Sequence, residues 1–83
     1  EFKVQIASGK NKIATKSYNF KGLKNIQRVL IGSYFKYYYG VTSSYKQALR
    51  SLSMAKEKGY SSAFIVAFRN GEKVSLKEVN KMH

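Results

Sequence analysis

Cysteine, proline, tryptophan and aspartate are all absent from this chain, and its one histidine is the last of 83 residues. Without cysteine the chain has no disulfide framework and no thiolate metal site. Without aspartate, and with only a terminal histidine, it cannot assemble a Ser-His-Asp triad or a zinc site. We therefore expect neither a bound metal nor a cofactor.

Acidic residues are also scarce, which bears on catalysis. The four acidic residues are predicted to lie at a terminus, a helix end, a turn and a final helix, at Glu1, Glu57, Glu72 and Glu78. No two of them are placed by the pattern to act as general acid and general base. We expect this chain not to be an enzyme.

Long hydrophobic runs are missing too. No apolar run approaches the ~20 residues that a membrane-spanning helix needs, and no signal-peptide pattern is present. A hydrophobic content of 43% with 14% aromatic residues favours a folded protein, and the length fits one domain over residues 1–83. Because the sequence starts at Glu1 without a methionine, we expect it to be a fragment of a larger protein.

Positive charge is what the chain has in excess. Sixteen lysines and arginines face four acidic residues, for a formal net charge of +12. Such an excess indicates a polyanionic partner: nucleic acid, an anionic membrane or an acidic polysaccharide. Thirteen of the sixteen are lysines spread along the chain, which suits diffuse attraction better than forked contacts to bases.

The first half of the chain predicts three strands. Residues 2–7 alternate apolar and polar side chains, as a half-buried strand does. Residues 13–25 contain apolar side chains interrupted by Gly22, which predicts a short or irregular helix plus a loop. Gln27–Ile31 and residues 34–39 then predict two strands joined by a turn at Gly32.

A helix is the clearest element of the second half. Ser44 with Gln47 three positions later forms a capping-box pattern, and Gly59 is placed to end the helix. Its apolar positions recur at helical spacing and form one face, at Tyr45, Ala48, Leu49, Leu52 and Ala55.

After this helix the pattern returns to strands. Residues 63–68 form a continuous apolar run typical of a central strand, and Asn70-Gly71 predicts a tight hairpin that leads into residues 73–75. Ser75 with Glu78 predicts a short terminal helix. The order predicts an α+β fold with the RNP/ferredoxin-like βαββαβ plan, in which helices cover one face of an antiparallel sheet and leave the other open.

Two segments carry a resemblance to a known family. The strand FKVQIAS at residues 2–8 and the segment FKYYYGVTSSYKQALRSLSMAKEKGYSSAFIV at residues 35–66 resemble SPOR (sporulation-related repeat) domains. The shared features are an aromatic-x-Val-Gln-apolar strand, a strand ending in glycine, a serine-rich cap, an Ala/Leu helix and Gly-Tyr before an apolar strand. Residues 13–25 depart from the family, which has a regular first helix there.

The resemblance implies a function as well as a fold. SPOR domains bind bacterial peptidoglycan, favour glycan strands stripped of their stem peptides, and sit at the end of envelope proteins, including cell-division proteins and N-acetylmuramoyl-L-alanine amidases. We therefore expect a monomeric, non-catalytic glycan-binding module in the periplasm or cell envelope, from the C-terminal part of its parent protein. The tail NGEKVSLKE is similar to amidase-terminal versions, so the parent is expected to be such an amidase.

Candidate binding residues follow from strand alternation and from the family pattern. If Val4 and Ile6 point to the helices, Lys3, Gln5 and Ala7 point to the open face. Gln5 matches the family's strand-one glutamine, and Ser8 matches a position where the family has a ligand-contacting hydroxyl. The candidates are Lys3, Gln5, Ser8, Arg28, Tyr34, Lys36 and Tyr38.

Alternation leaves two points open. A one-residue slip would exchange the outward set of residues 34–39 for the inward set that contains Phe35, Tyr37 and Tyr39. In residues 63–68 both alternating sets are apolar, so the sequence does not decide whether Phe64 and Phe68 face outward.

An RNA-recognition-like module is the alternative function. It shares the βαββαβ plan and stacks bases on aromatic side chains of its central strands. Here the third strand has aromatic residues but lacks the K/R-G-F/Y-G/A-F-V-x-F/Y consensus, and the first strand has Gln5 where a stacking ring would help. The comparison of motifs therefore favours the glycan-binding function over the nucleic-acid-binding one.

Overall fold

The computed structural model describes residues 1–76, which form a curled five-stranded antiparallel sheet and one α-helix. In chain order the elements are β1 (Phe2–Gly9), a 3-10 helix (Ser17–Asn19), β2 (Gln27–Ile31), β3 (Tyr34–Thr42), α1 (Tyr45–Glu57), β4 (Phe64–Arg69) and β5 (Glu72–Val74). The strand order is β2-β3-β1-β4-β5, and α1 packs against β1, β3 and β4. The predicted α+β class with an antiparallel sheet is confirmed.

The order of helices and strands differs from the predicted βαββαβ plan at its first helix. Residues 13–25 contain only the three-residue 3-10 helix. Lys21, Gly22 and Asn25 all have positive φ, at 53°, 89° and 58°, a backbone conformation that a right-handed helix cannot include. The predicted terminal helix from Ser75 to Glu78 extends into residues 77–83, which lie outside the described part of the chain.

The core lies between the sheet and α1, and the 10–26 segment completes it. Phe20, Leu23 and Ile26 of this segment are buried with Tyr37 in the core. The Tyr37 side chain is 1% exposed, and its hydroxyl accepts a hydrogen bond from the Ile13 N–H at 2.8 Å. The segment thus covers the part of the sheet that a regular first helix would otherwise cover.

The capping residue of α1 is the one that the sequence predicts. The Ser44 Oγ accepts a hydrogen bond from the Gln47 N–H at 3.3 Å, and the Ser44 N–H itself donates to the Thr42 hydroxyl at 3.1 Å. In a capping box the side chain of Gln47 would accept a hydrogen bond from the Ser44 N–H, and here the Thr42 hydroxyl accepts it instead. Of the predicted apolar face, Ala48 and Ala55 are buried, and small side chains there let the helix lie close to the sheet.

A β-bulge in β1 corrects the predicted facing of Ala7. Gln5 lies opposite Tyr38, but Ala7 lies opposite Tyr37, so β1 has one extra residue at Ile6. Ile6 and Ala7 both pack against the core as a result. The prediction that Ala7 points to the open face is wrong, because strict alternation does not hold across a bulge.

Candidate functional site on the open face of the sheet

The face of the sheet opposite α1 carries amide, hydroxyl, lysine and aromatic side chains from all five strands. Cross-strand pairing defines it, since directly opposed residues share a face: Gln5 lies opposite both Tyr38 and Phe64, and Lys36 lies opposite both Val29 and Ser8. We call this surface the open face; it comprises Lys3, Gln5, Ser8, Gln27, Val29, Ile31, Tyr34, Lys36, Tyr38, Phe64, Val66, Phe68 and Lys73.

Six of the seven predicted candidates lie together on this face. They are Lys3, Gln5, Ser8, Tyr34, Lys36 and Tyr38. Ser8 belongs to it because the bulge at Ile6 shifts the alternation of β1 by one residue, so that Ala7 faces the core and Ser8 faces the open side. The outward set predicted for β3 is the observed one, and the inward set, Phe35, Tyr37 and Tyr39, contacts the core.

Arg28 is the predicted candidate that the structure separates from the others. It lies opposite Tyr37, on the core side of the sheet, and its Nη1 donates a hydrogen bond to the Ile13 carbonyl at 2.8 Å. The guanidinium therefore helps to hold the 10–26 segment against β2 and does not point to the open face.

One end of the open face is filled by its own side chains. We call Lys3, Gln27, Tyr38 and Phe68 the Lys3 cluster. The Lys3 Nζ lies 4.6 Å from the Phe68 ring centroid and 5.4 Å from that of Tyr38, and it donates a hydrogen bond to the Gln27 Oε1 at 2.6 Å. The Tyr38 and Phe68 rings meet edge to face at 5.9 Å.

The packing of the Lys3 cluster leaves little of Lys3 and Tyr38 accessible to a ligand. Tyr38 is 2% exposed and Lys3 is 9% exposed, although both lie on the face without a helix. The ammonium group of Lys3 is stabilised by two ring faces and an amide oxygen, and it covers the Tyr38 ring in turn. Flat stacking of a ligand on Tyr38 therefore requires Lys3 to move.

The other end of the open face is accessible. We call Ser8, Lys10, Tyr34 and Lys36 the Tyr34 cluster. The Tyr34 ring is 44% exposed, and the Nζ atoms of Lys36 and Lys10 lie 5.6 Å and 5.8 Å from its centroid. The Lys36 Nζ also donates a hydrogen bond to the Ser8 Oγ at 2.9 Å. An aromatic platform, a hydroxyl and two ammonium groups are thus within reach of one ligand.

Two residues near this end escape the sequence reasoning. Lys10 lies in the turn after β1, where no periodicity assigns a direction to a side chain. Phe64 lies opposite Gln5 and is 46% exposed, so it extends the accessible surface across β4. The pairing of Val4 with Ile65 settles the facing of β4, because Val4 is in the core and Phe64 must then lie on the open face.

A cleft of about 520 Å³ lies beside the Lys3 cluster and shares Phe68 with it. It is formed by the start of β1 and the β4–β5 hairpin, and none of the seven predicted candidates lines it. Among residues 1–76, no group of three His, Cys, Asp or Glu side chains could hold a metal ion. The same part of the chain contains no helix long and apolar enough to cross a membrane.

Burial raises the pKa of the Tyr38 phenol. The folded state then favours the neutral phenol, so this contribution to stability is complete below about pH 10 and is lost as the pH rises through the folded-state pKa. In a spectrophotometric titration of the folded protein, we expect part of the phenolate absorbance to appear only above about pH 10, and Tyr38→Phe to reduce that part. An unchanged late component in Tyr38→Phe would contradict the assignment.

Comparison with known proteins yields no relative for this arrangement: no family model, no curated protein and no solved structure matches the chain.

Proposed function

We propose that this chain is a non-catalytic module that binds the glycan strands of bacterial peptidoglycan and favours strands stripped of their stem peptides. The observation that carries the proposal is the accessible end of the open face, where Gln5, Ser8, Tyr34 and Lys36 lie on one side of an antiparallel sheet. In this proposal the fold is a βαββαβ plan whose first helix is replaced by the 10–26 segment. The module targets its parent protein, an envelope protein such as an N-acetylmuramoyl-L-alanine amidase, to the cell wall.

The side-chain chemistry of the open face suits an acetylated amino-sugar chain. The exposed ring of Tyr34 offers an apolar surface for the face of a sugar. The amide of Gln5 and the hydroxyl of Ser8 both donate and accept hydrogen bonds, as N-acetyl and hydroxyl groups require. Lysine ammonium groups attract carboxylates, and the net charge of +12 gives this attraction a long reach at low salt.

Stripping of the stem peptide changes the charge of the ligand. In intact peptidoglycan the lactyl carboxyl of each muramic acid is part of an amide bond to the peptide. Amidase cleavage frees that carboxylate, which places one negative charge per disaccharide directly on the sugar chain, and it removes the peptide together with the peptide's own carboxylates. A basic face is therefore expected to bind the stripped strand more tightly than the intact one.

The burial of Tyr38 weighs against the nucleic-acid alternative. Base stacking requires accessible rings on the two central strands. In β3 the Tyr38 ring is covered by Lys3, and its neighbour on β1 is Gln5, which has no ring. The open face thus lacks a pair of adjacent accessible rings at its centre.

Co-sedimentation with purified sacculi tests the proposal. We expect the protein to pellet with amidase-stripped sacculi in preference to intact ones at physiological salt, and to stay bound when RNA is added as a competitor. Higher salt should weaken the binding without abolishing it, because only the charge component is screened. Gln5→Ala should weaken binding, whereas Lys46→Gln on the exposed surface of α1 should not. Release by RNA, with no preference between the two kinds of sacculi, would support the nucleic-acid alternative instead.

A further inference from the structure

Two lysines without an acidic partner flank the exposed ring of Tyr34. The Nζ atoms of Lys10 and Lys36 lie within 5.8 Å of the same ring centroid, and neither forms an ion pair with any of residues 1–76. By contrast, the Lys3 Nζ at the other end of the open face has the Glu1 carboxylate at 3.7 Å and an amide oxygen at 2.6 Å. Around Tyr34, therefore, two positive charges lie beside the same ring with no acidic partner among residues 1–76.

The hydrogen-bonding capacity of these lysines is also largely unused. An ammonium group has three N–H donors. Lys36 uses one of them for the Ser8 hydroxyl, and no hydrogen bond to residues 1–76 involves the Lys10 ammonium. Both groups can therefore donate to an anion while Ser8 keeps its bond to Lys36, and the anion would reduce the repulsion between the two charges.

We propose that the Tyr34 cluster is a subsite for a carboxylate carried on a sugar ring, and that Lys10 and Lys36 decide the preference for stripped glycan. This inference rests on the proposed function. In it the Tyr34 ring packs against the face of one sugar, and the two ammonium groups bind the free lactyl carboxylate beside it. Gln5 and Phe64 contact the rest of the strand and do not distinguish stripped from intact chains.

The ligand that this subsite recognises is an acidic saccharide with its charge close to the ring plane. A muramic acid whose lactyl group is amidated lacks that charge, and a chain of N-acetylglucosamine alone lacks the lactyl group altogether. The three ligands share the same acetylated sugar backbone. They therefore separate recognition of the carboxylate from recognition of the chain.

Titration with two soluble ligands of equal length tests the subsite: peptide-free peptidoglycan glycan strands and the neutral N-acetylglucosamine oligosaccharide. For the unmodified protein we expect a preference of about tenfold or more for the acidic strand, in line with charge-assisted hydrogen bonds. Lys10→Gln combined with Lys36→Gln should reduce the preference to near one, while affinity for the neutral ligand stays within about twofold. Each single variant should lose part of the preference.

Lys46→Gln is the matched control for each single variant, because it also removes one positive charge, from α1 on the opposite side of the sheet. It should retain the preference, which separates the subsite from the effect of net charge. If the double variant keeps the full preference of the unmodified protein, the subsite is refuted and glycan binding stands. If the unmodified protein binds neither ligand, the proposed function itself is refuted.

Discussion

Replacement of Gly40 by alanine is expected to lower the free energy of unfolding by roughly 3 kcal/mol, the sum of two separate costs. Gly40 has a φ of +68°, which costs a residue with a Cβ about 1–2 kcal/mol. A Cβ at this position would also overlap the Cβ and Oγ of Ser51 on α1, and overpacking of this kind costs about 1–3 kcal/mol.

The position of Gly40 in the sheet explains why both costs meet there. Between the Phe2–Thr42 and Val4–Tyr39 pairs, β3 has one residue more than β1, so Gly40 lies in a bulge. The bulge brings the β3 backbone close to Ser51 in the middle of α1. A glycine satisfies both the left-handed conformation and the close approach of the helix.

Chemical denaturation of three further variants separates the two costs. At Gly32 φ is +62° but no atom lies within 4 Å of an added Cβ, so Gly32→Ala should cost only about 1–2 kcal/mol. Ser51→Gly removes the two side-chain atoms that an alanine at position 40 would overlap, and leaves the Cα of residue 51 at 3.8 Å from the added Cβ. In that background Gly40→Ala should therefore lower the free energy of unfolding by less. If Gly40→Ala and Gly32→Ala lower the free energy of unfolding by the same amount, a steric role for Ser51 is contradicted.

Elements whose signals are local could be predicted from the sequence. The bounds of β2 are those predicted, and Asn70 and Gly71 both have positive φ, at 52° and 82°, as a type I′ hairpin turn requires. Ser44 caps α1 because its hydroxyl needs only a backbone N–H three residues away. In each case the residues that determine the structure are neighbours in the chain.

Features that depend on distant parts of the chain could not be predicted. The path of residues 10–26 depends on contacts with Tyr37 and Arg28 from other strands. The bulge at Ile6 becomes visible only when β1 is paired with β3. Strand alternation placed Tyr38 on the correct face, but its burial depends on Lys3 from β1 and Phe68 from β4. Periodicity assigns a face to a residue and says nothing of what covers it there.

Tyr34 and Tyr38 share a strand and a face, yet we expect their removal to have opposite consequences. Tyr38→Ala should lower the free energy of unfolding by about 3–4 kcal/mol, because a nearly fully buried ring is lost. It also removes one of the two rings that stabilise the Lys3 ammonium. Tyr34→Ala should cost less than about 1 kcal/mol of stability, since nearly half of that side chain is exposed.

For the binding of glycan we expect the opposite: Tyr34, whose removal costs little stability, matters more than Tyr38. Tyr34→Ala removes the accessible platform of the Tyr34 cluster, and we expect about tenfold weaker binding to stripped strands, the loss of one good contact. Tyr38→Phe keeps the buried ring and removes only the hydroxyl, so it should bind and fold nearly as the unmodified protein does. The variants are compared by denaturant unfolding and by titration with the same glycan preparation.

One outcome would require a different account of the open face. If Tyr38→Ala stays fully stable but loses binding, the Tyr38 ring must be reached by the ligand, and Lys3 must leave it when glycan binds. Lys3→Met would then distinguish the state with residue 3 over the Tyr38 ring from the state in which it has left the ring. The variant keeps an apolar chain over the ring but removes the ammonium group. If instead Tyr38→Ala loses stability and Tyr34→Ala loses binding, only the end of the open face around Tyr34 meets the ligand.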